Sequence, residues 1–270
     1  MKRLLRAPSF WGCLLFFATA ALGPWLVSAT PDALDLPHAY ALPSHAHWLG
    51  TTDNGVDLLS ALVHGARLAA IISFSVVSIS CVLGGLLGAA AGLFGGKLDA
   101  GVTGLADLLQ AFPAVLLNIA VLSLVARPGV SHVVLSLSIT GWVLYARLSR
   151  AEALSLRERE FVQAARALGL SELRVLLRHV VPNLVSPLVV QATAGFGGAI
   201  LMESTLSFLG LGPSRATSWG ALLDQGSSVL LRFPHVALLV GAAMAGTVLA
   251  FNLAGDAVRD ALDPRLRGRE

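Results

Sequence analysis

The sequence predicts an all-α integral membrane protein with six transmembrane helices. Three observations carry this. Hydrophobic residues make up 55% of the 270-residue chain and charged residues 13%, with a mean hydropathy of +0.74; soluble domains carry about 25% charged residues. Six apolar stretches recur, most of them near or above the ~20 residues that a bilayer demands. The basic residues are segregated: when the loops alternate sides, 15 of the 19 Lys and Arg fall on one face, all but Arg67, Arg127, Arg215 and Arg232. By the positive-inside rule that face is cytoplasmic. Six spans then place both termini in the cytoplasm.

The elements follow in order. Lys2, Arg3 and Arg6 precede an apolar stretch from Phe10 to Ser28. Small residues at Val27-Ser28-Ala29 offer a signal-peptide alternative, but bulky Trp11 and Trp25 favour an uncleaved first span. Residues 29–66 lack Lys and Arg, hold Pro31, Pro37 and Pro43, and read as an outer loop with at most one short helix. The second span covers about Arg67–Gly95 and is long enough to tilt. Gly95–Gly101 reads as a tight polar turn. The third span is about Leu105–Ala126, kinked at Pro113, and the fourth about Val133–Ala146. The fifth covers Asn183 to about Gly212, interrupted by Pro187. Pro213–Pro234 reads as a loop, and the sixth span, about Val236–Ala257, precedes a charged tail from 258 to 270. The 27 glycines suit close-packed membrane helices. Cys13 and Cys81 lie in apolar runs and read as packing residues.

Arg147–Pro182 stands apart. It holds seven arginines and four glutamates between two apolar stretches. Each charge at the bilayer centre costs about 2.5–3.5 kcal/mol, so the segment is aqueous. Its pattern is nevertheless helical. Leu156, Phe161, Ala164, Ala165 and Leu168 recur near helical spacing, and Gly169 follows where a helix would stop. Ser171 can cap a second helix with Glu172 in its first turn. Leu173, Leu176, Leu177, Val180 and Val181 form one apolar stripe, and Pro182 should break or bend the chain at re-entry. A helix, a glycine corner and a second helix, polar and small on the outside, make a surface that a soluble partner could grip.

Chemistry-bearing constellations are few. No G-x-x-x-x-G-K-[ST] loop is present, so the chain cannot hold ATP by that device. His45 and His47, near His38, share one face of an extended segment but gain no Cys or carboxylate at trusted ligand spacing, so they read as a solvated loop rather than a metal site. Glu203 lies inside the fifth span with Ser204, Thr205 and Ser207, and either lines a cavity or ties helices together. Asp107 and Gln110, at the inner end of the third span, read as structural. An intramembrane hydrolase is the rival of another class. It would need paired aspartates, a Ser–His pair or a zinc helix, and H-E-x-x-H is absent. A passive channel fits the hydropathy but leaves the charged loop without a purpose.

Phe161–Gly169 (FVQAARALG), followed by Pro182, resembles the EAA loop of ABC-importer permeases. Ala164, Ala165 and Gly169 match, while Gln163 stands where the family usually has Glu. His47–Arg67 is similar to the segment before the second span in permeases for dipeptides, oligopeptides and nickel, with Thr52 for its Asp, and Val56 and Ala61 for its two Arg. Glu203–Gly212 with Ser218–Leu223, and Asn252–Arg267, resemble further signatures of the same group in the same order, closest to the second of its two paired permeases.

The resemblance implies a type I ABC importer permease fold, with spans two to six as core and the first peripheral. It implies a bacterial-type inner-membrane location and an import function for peptides, with nickel or a nickel chelate as the alternative. The implied partners are a homologous permease, two cytoplasmic ATPases, an extracytoplasmic binding protein and membrane lipid, with no nucleic acid. The chain would itself have no catalytic residue, metal or cofactor; ATP and magnesium would be bound by the ATPases. Phe161, Gln163, Ala164, Ala165 and Gly169 would contact an ATPase. Glu203, Ser204, Ser207, Phe208 and Gly210 would lie near an outer gate.

Overall fold

The computed structural model describes residues 8–27, 34–214 and 216–262. The basic N-terminus, Ser28–Ala29, Pro31, Arg215 and the tail beyond Leu262 lie outside those residues. Helices dominate: α1 (Pro8–Leu26), α2 (Leu58–Phe94), α3 (Gly96–Gln110), α4 (Ala114–Ser123), α5 (Val130–Leu156), α6 (Glu160–Ala167), α7 (Glu172–Phe208), α8 (Trp219–Ser228) and α9 (Pro234–Leu262). Among the described residues, α1, α2, α7 and α9 are long and apolar enough to cross a membrane, and the bent pair α3–α4 makes a fifth span if counted as one. The 27-residue α5 is long enough but too polar for that criterion. The sequence predicts six spans; this count is four or five.

α2 is the axis of the bundle. Asp57 caps it, its carboxylate accepting from the Ser60 N–H at 2.9 Å. The helix therefore starts nine residues before Arg67 and takes in the end of the predicted outer loop. Across its C-terminal half it crosses α5 with backbones almost touching. Gly84, Gly88 and Gly92 recur every four residues, and a Cβ at Gly88 would collide with the Ala146 carbonyl. Small residues allow such a crossing in a membrane, where dispersion and close approach replace the hydrophobic effect.

α1 and α9 flank the N-terminal half of α2. Phe16 and Phe17 of α1 meet Phe251 of α9 edge-on, with ring centroids 5.6 and 5.8 Å away, and Phe196 of α7 stacks on Phe251 at 5.1 Å. These offset and T-shaped contacts are the geometries that aromatic quadrupoles favour.

Several elements differ from expectation for local reasons. Gly95 and Gly96 take positive φ of 67° and 59°, and the chain turns there within two residues. Lys97–Gly101 is already the first turn of α3, so the predicted polar turn is only Gly95–Gly96. Pro113 ends the α3–α4 break, where the two helices bend by 84°. α5 runs on to Leu156, so the first ten residues of the charged segment are helix. Arg147 and Arg150 there pair with Asp107 and Asp99 of α3, at 2.7 and 2.5 Å.

Pro182 neither breaks nor ends a helix. α7 passes through it because Leu176–Val180 form a wide turn in which the Val181 N–H bonds to the Leu176 carbonyl, five residues back. A wide turn moves carbonyls away from the proline ring, which would clash with the residue four before it in a regular helix. The helix also continues through Pro187. The predicted loop 213–234 contains α8, capped by Ser218 Oγ, which accepts from the Ala221 N–H at 3.1 Å.

Candidate functional site

Three places could carry function: the corner at α6, the cluster at the C-terminal end of α7, and a cavity between α2, the α3–α4 corner, α5 and α7.

α6 is a two-turn helix held by its inward face. Val162 and Ala165 are buried, packed with Val175, Leu176, Val180 and Leu184 of α7 and with Ala89 and Leu93 of α2. Gly169 turns the chain with φ +80°, a conformation that costs any residue with a Cβ. Arg166 Nε and Nη2 then donate to the two carboxylate oxygens of Glu172, at 2.8 and 3.0 Å, bracing the corner. This hydrogen bond pushes the Arg166 guanidinium further above its ordinary pKa. Gln163 Nε2 donates to the Arg157 carbonyl at 3.0 Å, tying α6 to the end of α5. A glutamate at this position could not donate that bond.

Phe161, Gln163, Ala164, Leu168 and Gly169 all face outward, whereas Ala165 faces the bundle. Of the five predicted contact residues, four therefore lie on one exposed surface. The predicted stripe on the following helix is divided. Leu176 and Val180 are buried, but Leu173 and Leu177 point out. Ser171 stands at the start of α7, but its side chain makes no capping bond.

At the other end of α7, Glu203 is 1% exposed. Ser207 Oγ donates to its Oε1 at 2.6 Å and Ser204 Oγ to its Oε2 at 3.3 Å, so the carboxylate is satisfied within its own helix. Gly220 of α8 lies so close to the Ser204 carbonyl that no Cβ would fit. Trp219 Nε1 donates to the Leu62 carbonyl of α2 at 2.9 Å. The two signature segments, 203–212 and 218–223, thus form one packed unit against α2. Phe208 and Gly210 lie at its exposed rim, and Gly210 takes φ +78°.

The loop that precedes α2 folds onto the start of α9. Thr51 and Asp57 form an antiparallel bridge, Tyr40 stacks on Phe233 at 4.7 Å, and the His235 ring lies 3.3 Å from the Thr51 carbonyl. His47 pairs with Asp57 at 3.1 Å and His38 with Asp35 at 2.8 Å. Thr52, Val56 and Ala61, which replace charged residues of the resembled pattern, are all buried.

The third place was not singled out from sequence. A cavity of about 610 Å³ opens between α2, the α3–α4 corner, α5 and α7. Ser80, Gln110, Thr140, Tyr145 and Gln191 supply its polar wall. α4 is fixed beside it by Asn118, which donates to the Ala114 carbonyl at 2.8 Å and accepts from Ser136 Oγ at 2.8 Å. Gln110 and Gln191, amides in apolar spans, were the signals in the sequence that could have pointed to it. Asp107, the aspartate that a membrane hydrolase would require, is instead ion-paired to Arg147.

The described residues make an all-helical bundle with four or five candidate membrane spans, an exposed helical corner at α6 and a cavity of about 610 Å³. Residues 84–268 match the family described as binding-protein-dependent transport system inner membrane component, and the chain belongs to that family. It is 36% identical over 253 residues to the dipeptide transport system permease protein DppC of Alkalihalophilus pseudofirmus, covering 93% of this chain and 83% of that one. It is 35% identical over 258 residues to the probable D,D-dipeptide transport system permease protein DdpC of Escherichia coli, covering 95% and 86%. It is 38% identical over 226 residues to the glutathione transport system permease protein GsiD of Pectobacterium atrosepticum, covering 83% and 75%.

Proposed function

We propose that this chain is one permease subunit of an ATP-driven importer of di- or oligopeptides. A homologous permease completes the pathway, two cytoplasmic ATPases power it, and an extracytoplasmic binding protein delivers the substrate. Peptide as substrate is supported by the relatives, which are named for dipeptides, D,D-dipeptides and glutathione. The subunit itself is non-catalytic and needs no cofactor; ATP and magnesium belong to the ATPases.

The observation that carries this reading is the α6 corner. Its inward face is cemented to α2 and α7, while Phe161, Gln163, Ala164 and Gly169 are presented together on the outside. A force applied to that surface passes directly into two long helices. These four residues contact the ATPase, and Ala165 positions them from beneath. Glu203, Ser204, Ser207, Phe208 and Gly210 form the outer gate region, with the rim residues moving and the carboxylate cluster holding the helix end.

In the membrane, α1, α2, the α3–α4 pair, α5, α7 and α9 make six spans. α5, at 27 residues, is about 40 Å long and reaches across the bilayer. The α6 corner and both termini then face the cytoplasm, in keeping with the placement of the basic residues.

The test is ATP hydrolysis by the complete importer in liposomes. Peptide-loaded binding protein should stimulate hydrolysis, and Gly169→Arg or Ala164→Arg should abolish the stimulation in complexes that still assemble. Ala164 is exposed in regular helix, so its substitution separates docking from backbone strain at Gly169. Stimulation indifferent to both variants would sink the coupling role, and stimulation by nickel alone would overturn the substrate.

A further inference from the structure

Arg67 is a cation without a counter-charge. It stands exposed on α2, nine residues after Leu58, and makes no hydrogen bond or ion pair among the described residues. A groove of about 630 Å³ opens beside it between α1, α2 and α7. Every other residue lining that groove is apolar, Phe17 and Ala21 of α1, Phe74 of α2 and Phe196 of α7 among them. The alanines leave the room, and the three aromatic rings line it.

The depth of the groove matters. α1 is one of the candidate membrane spans, and Ala21 stands five residues before its last residue, Leu26. At 1.5 Å per residue, that is about 8 Å inside the end of the span. Facing hydrocarbon there, the guanidinium would hold five donors without an acceptor, besides its charge. An arginine side chain is long enough to lift its head to the level of the lipid headgroups while its stem stays among apolar groups.

A phosphodiester at that level meets the requirement. Its two free oxygens accept a guanidinium in two parallel hydrogen bonds. A free anion would satisfy Arg67 but leave the apolar groove unfilled, whereas an acyl chain attached to the phosphate fills it. A zwitterionic lipid brings its own cation close to Arg67, so a lipid of net negative charge is preferred.

We propose that Arg67 and this groove form a binding site for one anionic phospholipid, the guanidinium holding the phosphate and the groove one acyl chain. The lipid ties α1 to α2 and α7. The site goes beyond the import function and requires only that the chain lies in a membrane. In the orientation proposed above, the lipid belongs to the extracytoplasmic leaflet.

The full chain, with the subunits that accompany it, would be reconstituted in liposomes of equal phosphatidylglycerol and phosphatidylcholine. It would then be extracted in mild detergent, and the retained lipids and subunits read by native mass spectrometry. Phosphatidylglycerol should be retained over phosphatidylcholine. Arg67→Gln should lower its retention about tenfold, the order expected for hydrogen bonds to a charged group. Arg67→Lys, which keeps the charge but not the fork, should restore part of it. Ala21 is exposed, so Ala21→Trp fills the groove with Arg67 in place and should lower retention of both lipids. Phosphatidylglycerol held equally by the unsubstituted chain and Arg67→Gln would overturn the proposal, as would lipid retention unchanged in Ala21→Trp. Loss of an accompanying subunit from Arg67→Gln, with lipid retention unchanged, would make the groove a protein contact and overturn it as well.

Discussion

Arg166 spans the Gly169 corner and holds both carboxylate oxygens of Glu172, at 2.8 and 3.0 Å. The pair is partly exposed, with side-chain exposures of 29% and 50%. Such pairs are worth about 0.2–1 kcal/mol. Its weight therefore falls on geometry rather than on stability. Glu172→Ala should lower the unfolding temperature of the solubilised subunit by no more than about 4 °C. It should reduce peptide-stimulated ATP hydrolysis more than that small loss suggests, because α6 then sits less firmly on α7. Thermal unfolding and hydrolysis measured on one preparation check this; a large melting shift with normal hydrolysis would contradict it.

Gly88 and Gly104 make a controlled comparison. At Gly88 a Cβ would meet the Ala146 backbone, whereas at Gly104 of α3 there is nothing within 4 Å. Gly88→Ala must push α2 and α5 apart and should cost at least about 1–3 kcal/mol. Gly104→Ala should be neutral or stabilising by up to about 1 kcal/mol, the helix-propensity difference. Melting curves in the same detergent rank the two. Equal behaviour would mean that the helix crossing is looser than described.

The helical corner was legible from sequence because it contrasts with its surroundings: charges cannot enter the bilayer, and a glycine in left-handed conformation ends a helix. The division of the Leu173–Val181 stripe was not. In water an apolar stripe marks the inside of a fold. An outward leucine beside a partner's docking surface carries no mark in the sequence, so Leu173 and Leu177 look the same there as Leu176 and Val180. The course of α7 through Pro182 depends on a wide turn with no composition signal. The start of α3 was hidden because Gly96, Lys97 and Asp99 read as turn residues, although Asp99 is there to meet Arg150 on α5. Ser80 and Tyr145 escaped notice because hydropathy averages over a window and cannot say which hydroxyl is buried without a partner.

Ser207 is the shorter of two hydrogen-bond donors to Glu203. Ser207→Ala leaves a buried carboxylate oxygen with no partner and should cost about 1–3 kcal/mol. Replacing both residues, as Glu203→Leu with Ser207→Ala, removes the group that needs satisfying. The double variant should therefore be less destabilised than the sum of the two single changes. Additive losses in a thermal double-mutant cycle would show that the pair is not coupled.

Thr52 offers the sharpest test of how this chain departs from the resembled pattern. It stands where the resembled segment has an aspartate, and it is buried, its N–H donating to the Val56 carbonyl at 2.9 Å. Val56 and Ala61, at two arginine positions of the pattern, are buried as well. The loop thus packs small and apolar residues at the three positions where the resembled pattern is charged, rather than exposing them. Thr52→Asp restores one charge without either arginine, and a buried carboxylate lacking a partner is disfavoured by about 1–3 kcal/mol or is driven to protonate. The loop rests on α9 through Thr51 and His235, and it leads directly into α2 at Asp57. Loosening it should therefore disturb the outer end of the bundle while leaving the α6 corner intact. Thr52→Asp is expected to lower the unfolding temperature by about 2–8 °C. It should weaken stimulation by loaded binding protein while basal hydrolysis by the assembled complex persists. Loss of basal hydrolysis together with stimulation would show that the outer loop supports the whole subunit. An unchanged melting temperature would show that position 52 accepts a charge and that the packing described for this loop is wrong.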